Sequence, residues 1–178
     1  RAQQPLQLLL NPKMQADQLQ SYVRMYEQSG WMPSFAVLWG DHPCMYGNHA
    51  AAWFADAWFK SVRDFDLEKA YEGLRKNSLE ATLLPWRNGP KGPLDDFYNE
   101  HGYLPALWPD QTETDPMVHQ REKRQAVAVT LENSYDDWCI AQLAKVVKRD
   151  ADYDLFMKRA HFYTNVWNAK EGFMRPKD

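Results

Sequence analysis

From Gln125 to Lys148, apolar side chains recur at helical spacing: Val127, Leu131, Tyr135, Trp138, Leu143, Val146 and Val147. A run of that length with a 3.6-residue period commits the chain to a long α-helix, and the basic residues at its end suit the helix dipole. Weaker runs of the same kind surround it. Met14 to Gln28 places Leu19, Tyr22, Val23 and Tyr26 on one face, and Gly30 stops it. Asn48 is placed to cap a helix running to about Val62. Asp66 is placed to cap the next, with Leu67, Ala70, Tyr71 and Leu74 as its buried stripe. A last helix is expected from about Ala151 to Asn168, with Leu155, Ala160, Phe162, Tyr163 and Val166 on its apolar side, before Gly172 ends the segment. No stretch shows the alternation and turn chemistry of a β-hairpin. The expectation is an all-α fold of paired antiparallel helices.

Two segments break the helical pattern. Trp31 to Gly47 holds Pro33, Gly40, Pro43 and Gly47 among Trp31, Phe35, Trp39 and Tyr46. A long aromatic loop of this kind is functional or packs against something larger. From Pro85 to Met117 the chain loses helical period, with five of the eleven prolines in Pro85 to Pro109 and Leu94 to Glu100 as a short helical turn.

At 178 residues the chain suffices for one domain with a core. Lys and Arg number 21 against 24 Asp and Glu, which argues against a nucleic-acid binder. The longest apolar stretches are far too short to cross a membrane. Cys44 and Cys139 lie ninety-five residues apart and read as two buried free thiols rather than a metal pair. Aromatic residues reach 14%, with eight Trp and nine Tyr. They fill a core or line a cleft, and in an acidic chain a cleft of that kind favours sugar over bases.

Two constellations carry chemistry. In the long helix, Glu132 and Asp136 stand four apart and share a face, next to Asp137. Leu131, Tyr135 and Trp138 around them suggest a largely buried helix, where a carboxyl gains the raised pKa that a general acid needs. The plainer reading is that acidic residues early in a helix favour its dipole and are solvated. The second constellation, Trp39 to Ala50, packs Asp41, His42, Asn48 and His49 into a loop-to-helix junction, where they suit a metal or hydroxyl groups but match no specific metal spacing. Its plainer reading is a capping Asn48 beside an ordinary first-turn His49.

Gly47-Asn-His-Ala50 with Ala55-Asp-Ala57, Asp66-Leu-Glu-Lys-Ala-Tyr-Glu72, Gly102-Tyr-Leu-Pro105, Thr130-Leu-Glu-Asn-Ser-Tyr-Asp-Asp-Trp-Cys-Ile-Ala141 and Gly172-Phe-Met-Arg-Pro176 together resemble glycoside hydrolase family 92, from about Ser29 to the end. The resemblance implies an exo-acting, inverting, calcium-dependent α-mannosidase acting on mannose-containing glycans. It implies a β-sandwich and an (α/α)6 toroid with the active site between them, and export to the periplasm or cell surface. On this resemblance Glu132 is the general acid, and Asn48, His49, Asp136 and Asp137 line the substrate site. Residues 1–178 are then a single partial domain, a portion of the toroid. The base and the calcium ligands are expected beyond Asp178, on the same polypeptide or a second chain. Faces meant for missing helices are expected to stay exposed. A non-catalytic helical module that binds glycan or protein through its aromatic loops is the alternative.

Overall fold

The computed structural model describes residues 3–178. Seven α-helices occur among them: α1 (Gln3–Leu10), α2 (Pro12–Ser29), α3 (Ala50–Phe59), α4 (Leu67–Glu80), α5 (Pro93–His101), α6 (Ala126–Val146) and α7 (Asp150–Arg159). Helix α6 is the central element, packing against α3, α4 and α7. The main core gathers Leu19, Val23, Phe54, Leu74, Ile140, Leu143 and Phe156, each fully buried, between these helices. Burial of each such side chain stabilises the fold by about 1.5–3 kcal/mol. A second cluster of Leu83, Leu84, Tyr98, Leu104, Val118 and Val129 sits under the long loops.

Local chemistry sets the helix ends. Pro12 opens α2, and Gly30, at φ 79°, closes it by donating its N–H to the Tyr26 carbonyl. The Asp66 side chain accepts the Lys69 N–H at 3.0 Å, so it caps α4 as the sequence suggests. Pro93 opens α5, and Gly102, at φ 76°, ends it.

Several expectations are corrected. Helix α1 precedes the first helix read from the sequence. Two short antiparallel hairpins occur where no strand was expected: β1 (Ala36–Val37) with β2 (Gly40–Asp41), and β3 (Trp167–Asn168) with β4 (Phe173–Met174). The first forms because the Asp41 carboxylate gathers the N–H groups of Ser34 and Phe35, at 3.0 and 2.8 Å. That leaves Leu38 and Trp39 exposed at its tip. The final helix stops at Arg159, not Asn168. Phe162–Val166 tightens into a 3₁₀ turn, and Asn165 donates to the Gly102 carbonyl at 2.9 Å, which directs the chain away from the α7 axis. Gly172, at φ 71°, turns the second hairpin. Cys139 is buried as expected, but Cys44 is half-exposed.

The largest correction concerns α6. Tyr135 and Trp138 are 53% and 45% exposed, their rings stacked at 6.4 Å. The face turned inward carries Thr130, Asn133, Ser134, Asp136 and Asp137 beside Cys139, Ile140 and Leu143. Of the apolar stripe that reads as core, Leu143 is buried but Tyr135 and Trp138 face out, and a polar stripe that reads as solvated faces in. The small side chains Ala50, Ala51 and Ala57 of α3 let the two helices approach, and hydrogen bonds compensate the buried polar groups.

The α2–α4 crossing depends on one missing side chain. A Cβ on Gly73 would lie 2.8 Å from both the Tyr26 ring and the Met32 methyl. Alanine gains about 1 kcal/mol of helix propensity, but overpacking costs about 1–3 kcal/mol. The Met32 methyl can swing aside and the Tyr26 ring root cannot. Gly73→Ala is therefore expected to lower the unfolding temperature by a few degrees, about 2–4 °C per kcal/mol for a domain of this size. A raised midpoint in a thermal melt would contradict this packing account.

Candidate active site

The site forms where the loop before α3 meets the middle of α6. Asn48 is the hinge of this junction. Its side-chain amide donates to the Leu74 carbonyl of α4 at 2.9 Å, and its backbone N–H donates to Asp136 Oδ2 at 2.7 Å. It does not cap α3 with its side chain. The capping position falls on His49, which makes no side-chain cap bond, because the Asn48 amide is committed to α4.

His49 lies across the two carboxylates of α6. Its Nδ1 is 3.0 Å from Asp136 Oδ1, and its Nε2 is 3.8 Å from Glu132 Oε2. The i, i+4 spacing that brings Glu132 and Asp136 onto one face is thus bridged by an imidazole from another helix. Glu132 and His49 keep 23% and 21% of their side-chain surface exposed, whereas Asp136 keeps 1%. Burial pushes the Asp136 carboxyl up from its ordinary value, and the His49 ring and the Asn48 N–H pull it back.

Gly47 makes this arrangement possible. Its φ is 90°, and a Cβ there would lie 2.4 Å from His49 Cε1 and 3.0 Å from Asp136 Oδ2. A hollow beside the junction is lined by Trp31, Tyr46, Asn48, Asn77, Arg87 and Asn133.

Asp137 points elsewhere. It is buried, accepts a hydrogen bond from Ser78 Oγ, and pairs with Arg159 Nε at 2.9 Å. Asp41 holds the β1–β2 hairpin, and the His42 ring packs edge-on against Trp86 at 6.2 Å. The structure therefore brings Asn48, His49, Glu132 and Asp136 together and separates Asp137, Asp41 and His42 from them. Arg159, Ser78 and Asn99, which support α6 from behind, were not read from the sequence. Arg159 carried a faint signal, as a charged residue next to Ala160 on an otherwise apolar stripe.

Among the described residues, no group of three or more His, Cys, Asp or Glu side chains is disposed to hold a metal ion. Calcium takes six to eight oxygens, and both oxygens of Asp136 are already engaged, so this junction does not fit it. No helix among the described residues is long and apolar enough to cross a membrane.

A family model described as the glycosyl hydrolase family 92 catalytic domain matches residues 1–178. The chain belongs to glycosyl hydrolase family 92. Among solved structures, it is similar to a family 92 inverting mannosidase of Bacteroides thetaiotaomicron VPI-5482, with a TM-score of 0.79 and 31% identity over 98% of this chain and 21% of that one. A family 92 α-mannosidase of Bacteroides thetaiotaomicron matches with a TM-score of 0.74 and 29% identity, over 94% of this chain and 20% of that one. The same α-mannosidase in complex with mannoimidazole matches with the same score and identity, over 94% of this chain and 19% of that one. Comparison with curated proteins returned no match. The chain thus spans about a fifth of the length of the family 92 structures it matches.

Proposed function

We propose that these residues are the acid-bearing part of an exo-acting α-mannosidase that inverts the anomeric configuration. The observation that carries the reading is the Glu132 carboxyl, partly exposed beside His49 and the buried Asp136 that holds it, in a chain that the family 92 model matches throughout. In this reading Glu132 protonates the departing glycosidic oxygen. Asn48 and His49 form the edge of the substrate site, and Asp136 holds His49 in place. Asp137 contributes through its bond to Arg159 rather than by touching sugar.

Inversion needs a second carboxylate about 6.5–9.5 Å from the acid, with room for a water between them. Asp136 is unsuited to that task, since it is buried and both its oxygens accept hydrogen bonds. The base and a calcium site are assigned to elements beyond these residues, on the same polypeptide or a second chain. The stacked, exposed Tyr135 and Trp138 on the outer side of α6 support this, as a surface that a larger structure covers, here in a toroid of the (α/α)6 type. Export to the periplasm or cell surface belongs to the same proposal.

The test is release of mannose from α-mannosides by the full-length gene product, with product configuration followed by NMR. The β-anomer should appear first, a chelator should abolish turnover, and residues 1–178 alone should release no mannose. First appearance of the α-anomer, or full activity after chelation, would overturn inversion or the calcium requirement respectively.

A further inference from the structure

Both stretches that break the helical pattern of the sequence meet at one tryptophan. We propose that Trp86, flanked by His42 and His119, is a stacking platform for a sugar ring of the glycan on the leaving-group side of the scissile bond, which rests on the reading of this chain as part of an exo-acting α-mannosidase.

Three loops hold the ring. The Trp86 N–H donates to the Met45 carbonyl at 3.1 Å, and Arg87 Nε donates to the Met117 carbonyl at 2.7 Å. The loop that carries Trp86 is closed at its base, where the Thr82 N–H donates to the Gly89 carbonyl at 3.0 Å and the Lys91 N–H to the Glu80 carbonyl at 2.8 Å. His42 meets the indole edge-on at 6.2 Å between ring centroids, and His119 lies tilted across it at 5.8 Å. His119 is fixed in turn, since its Nδ1 accepts the N–H groups of Arg121 and Glu122 at 3.3 and 3.2 Å. Trp86 itself has φ 61°, a left-handed backbone that a bulky aromatic residue adopts only at a cost. The residue is nevertheless 36% exposed. Core packing does not account for a ring that is held in a strained backbone and still turned to solvent.

The platform adjoins the candidate active site. Met45, which accepts the Trp86 N–H, leads through Tyr46 and Gly47 to Asn48 and His49. On the other side Arg87 and Asn88, which follow Trp86, line the same hollow as Asn48 and Asn133. The loop before α3 and the loop after α4 thus form one wall, with the ring on its rim. A pyranose presents a face of C–H bonds, whose positive hydrogens suit the negative face of an indole. Its edge carries hydroxyl groups, which suit an amide and a guanidinium. Trp86 supplies the flat face, and Asn88 and Arg87 stand beside it for the edge. A formal net charge of -3 disfavours a nucleic-acid strand on the same rings. An exo-acting enzyme encloses the terminal sugar and leaves the rest of the glycan on its open side. Binding there acts only on substrates whose leaving group is long enough to reach the ring.

The experiment measures kcat/KM for Trp86→Gly in the full-length gene product on two substrates. One is an α-linked oligomannoside, and the other is α-mannosyl fluoride, whose leaving group is too small to reach the ring. Glycine removes the indole and accepts a left-handed backbone without strain, so the variant should fold. If it does not, Trp86→Asn, which also tolerates that backbone, is read in the same way. The expected result is a loss of about tenfold or more on the oligomannoside, with less than about a twofold change on the fluoride. Trp86→Phe keeps a flat ring and should recover part of the loss. Unchanged activity on the oligomannoside overturns the platform, as does an equal loss on both substrates, which is what a merely structural tryptophan would give. Wild-type protein that releases no mannose from either substrate overturns the mannosidase reading and the platform with it. Wild-type activity on both substrates with an unchanged ratio in Trp86→Gly removes the platform alone. Full activity of Glu132→Gln on the oligomannoside beside a selective loss in Trp86→Gly removes the acid assignment and keeps the platform.

Discussion

Glu132→Gln is expected to lower kcat/KM by about 10²–10⁴-fold on a mannoside whose leaving group is a sugar alcohol, the usual range for loss of a general acid. The same substitution should cost less than about tenfold when the leaving group is an acidic phenol, because that group departs as an anion without help. The contrast between the substrates carries the argument. Glutamine keeps the size and one carbonyl of Glu132 but has no acidic proton to deliver. Its side chain starts from a position already 23% exposed, so the fold should survive the change. Equal losses on both substrates would mean that Glu132 binds or shapes the site rather than donating a proton. Full activity on both would remove the assignment.

The sequence made this site half visible. Glu132 and Asp136 share a helix face by spacing alone, and Asn48 with His49 stands out as a polar cluster opening a helix. Their union was hidden, because it depends on α3 packing across α6, with partners 87 and 88 residues apart. Resemblance to a family named Glu132, but only the packing shows that His49 reaches it. The helices were legible where an apolar stripe coincided with a capping residue, as at Asp66 and Leu67–Glu80. They were misread where the stripe outlasted the helix. Phe162, Tyr163 and Val166 continue the period of α7, yet the chain turns at Ala160 to meet Gly102. The middle of α6 was misread for a related reason, since Tyr135 and Trp138 are exposed there while Leu143 is buried. Periodicity locates an apolar face but does not say which neighbours cover it, and here Thr130, Asn133 and Ser134 face inward with their own backbone partners.

Arg159→Met should be the most damaging single change to the fold, with a loss of about 3–5 kcal/mol at neutral pH. Arg159 is 4% exposed and ties four helices together. From α7 it donates to Asp137 of α6 at 2.9 Å, to Asn99 of α5 at 2.7 Å and to the Ser78 carbonyl of α4 at 3.1 Å. Methionine fills similar space but leaves the buried Asp137 carboxyl without a counter-charge, so above about pH 6 folding must either keep it ionised and unpaired or hold a proton on it, and it strands two acceptors. For a domain of this size the unfolding midpoint should fall by roughly 6–20 °C. The loss should depend on pH with a definite sign. Burial pushes Asp137 up to about 6, against the pull of Arg159 and Ser78, so in the folded protein it holds its proton above the ordinary carboxyl range near 4. Its contribution to stability is therefore complete below about pH 4 and is lost as pH rises through about 6. Without Arg159 the folded carboxyl holds its proton higher still. The gap between wild type and Arg159→Met should then be smallest near pH 5 and widen as pH rises through 6. Changing both partners, Asp137→Leu with Arg159→Met, should recover most of the loss, since an apolar pair of similar volume replaces a buried ion pair at little cost. A double variant as unstable as the single one, or a gap that narrows with rising pH, would show that the Arg159 cluster holds the helices by packing and not by its charge.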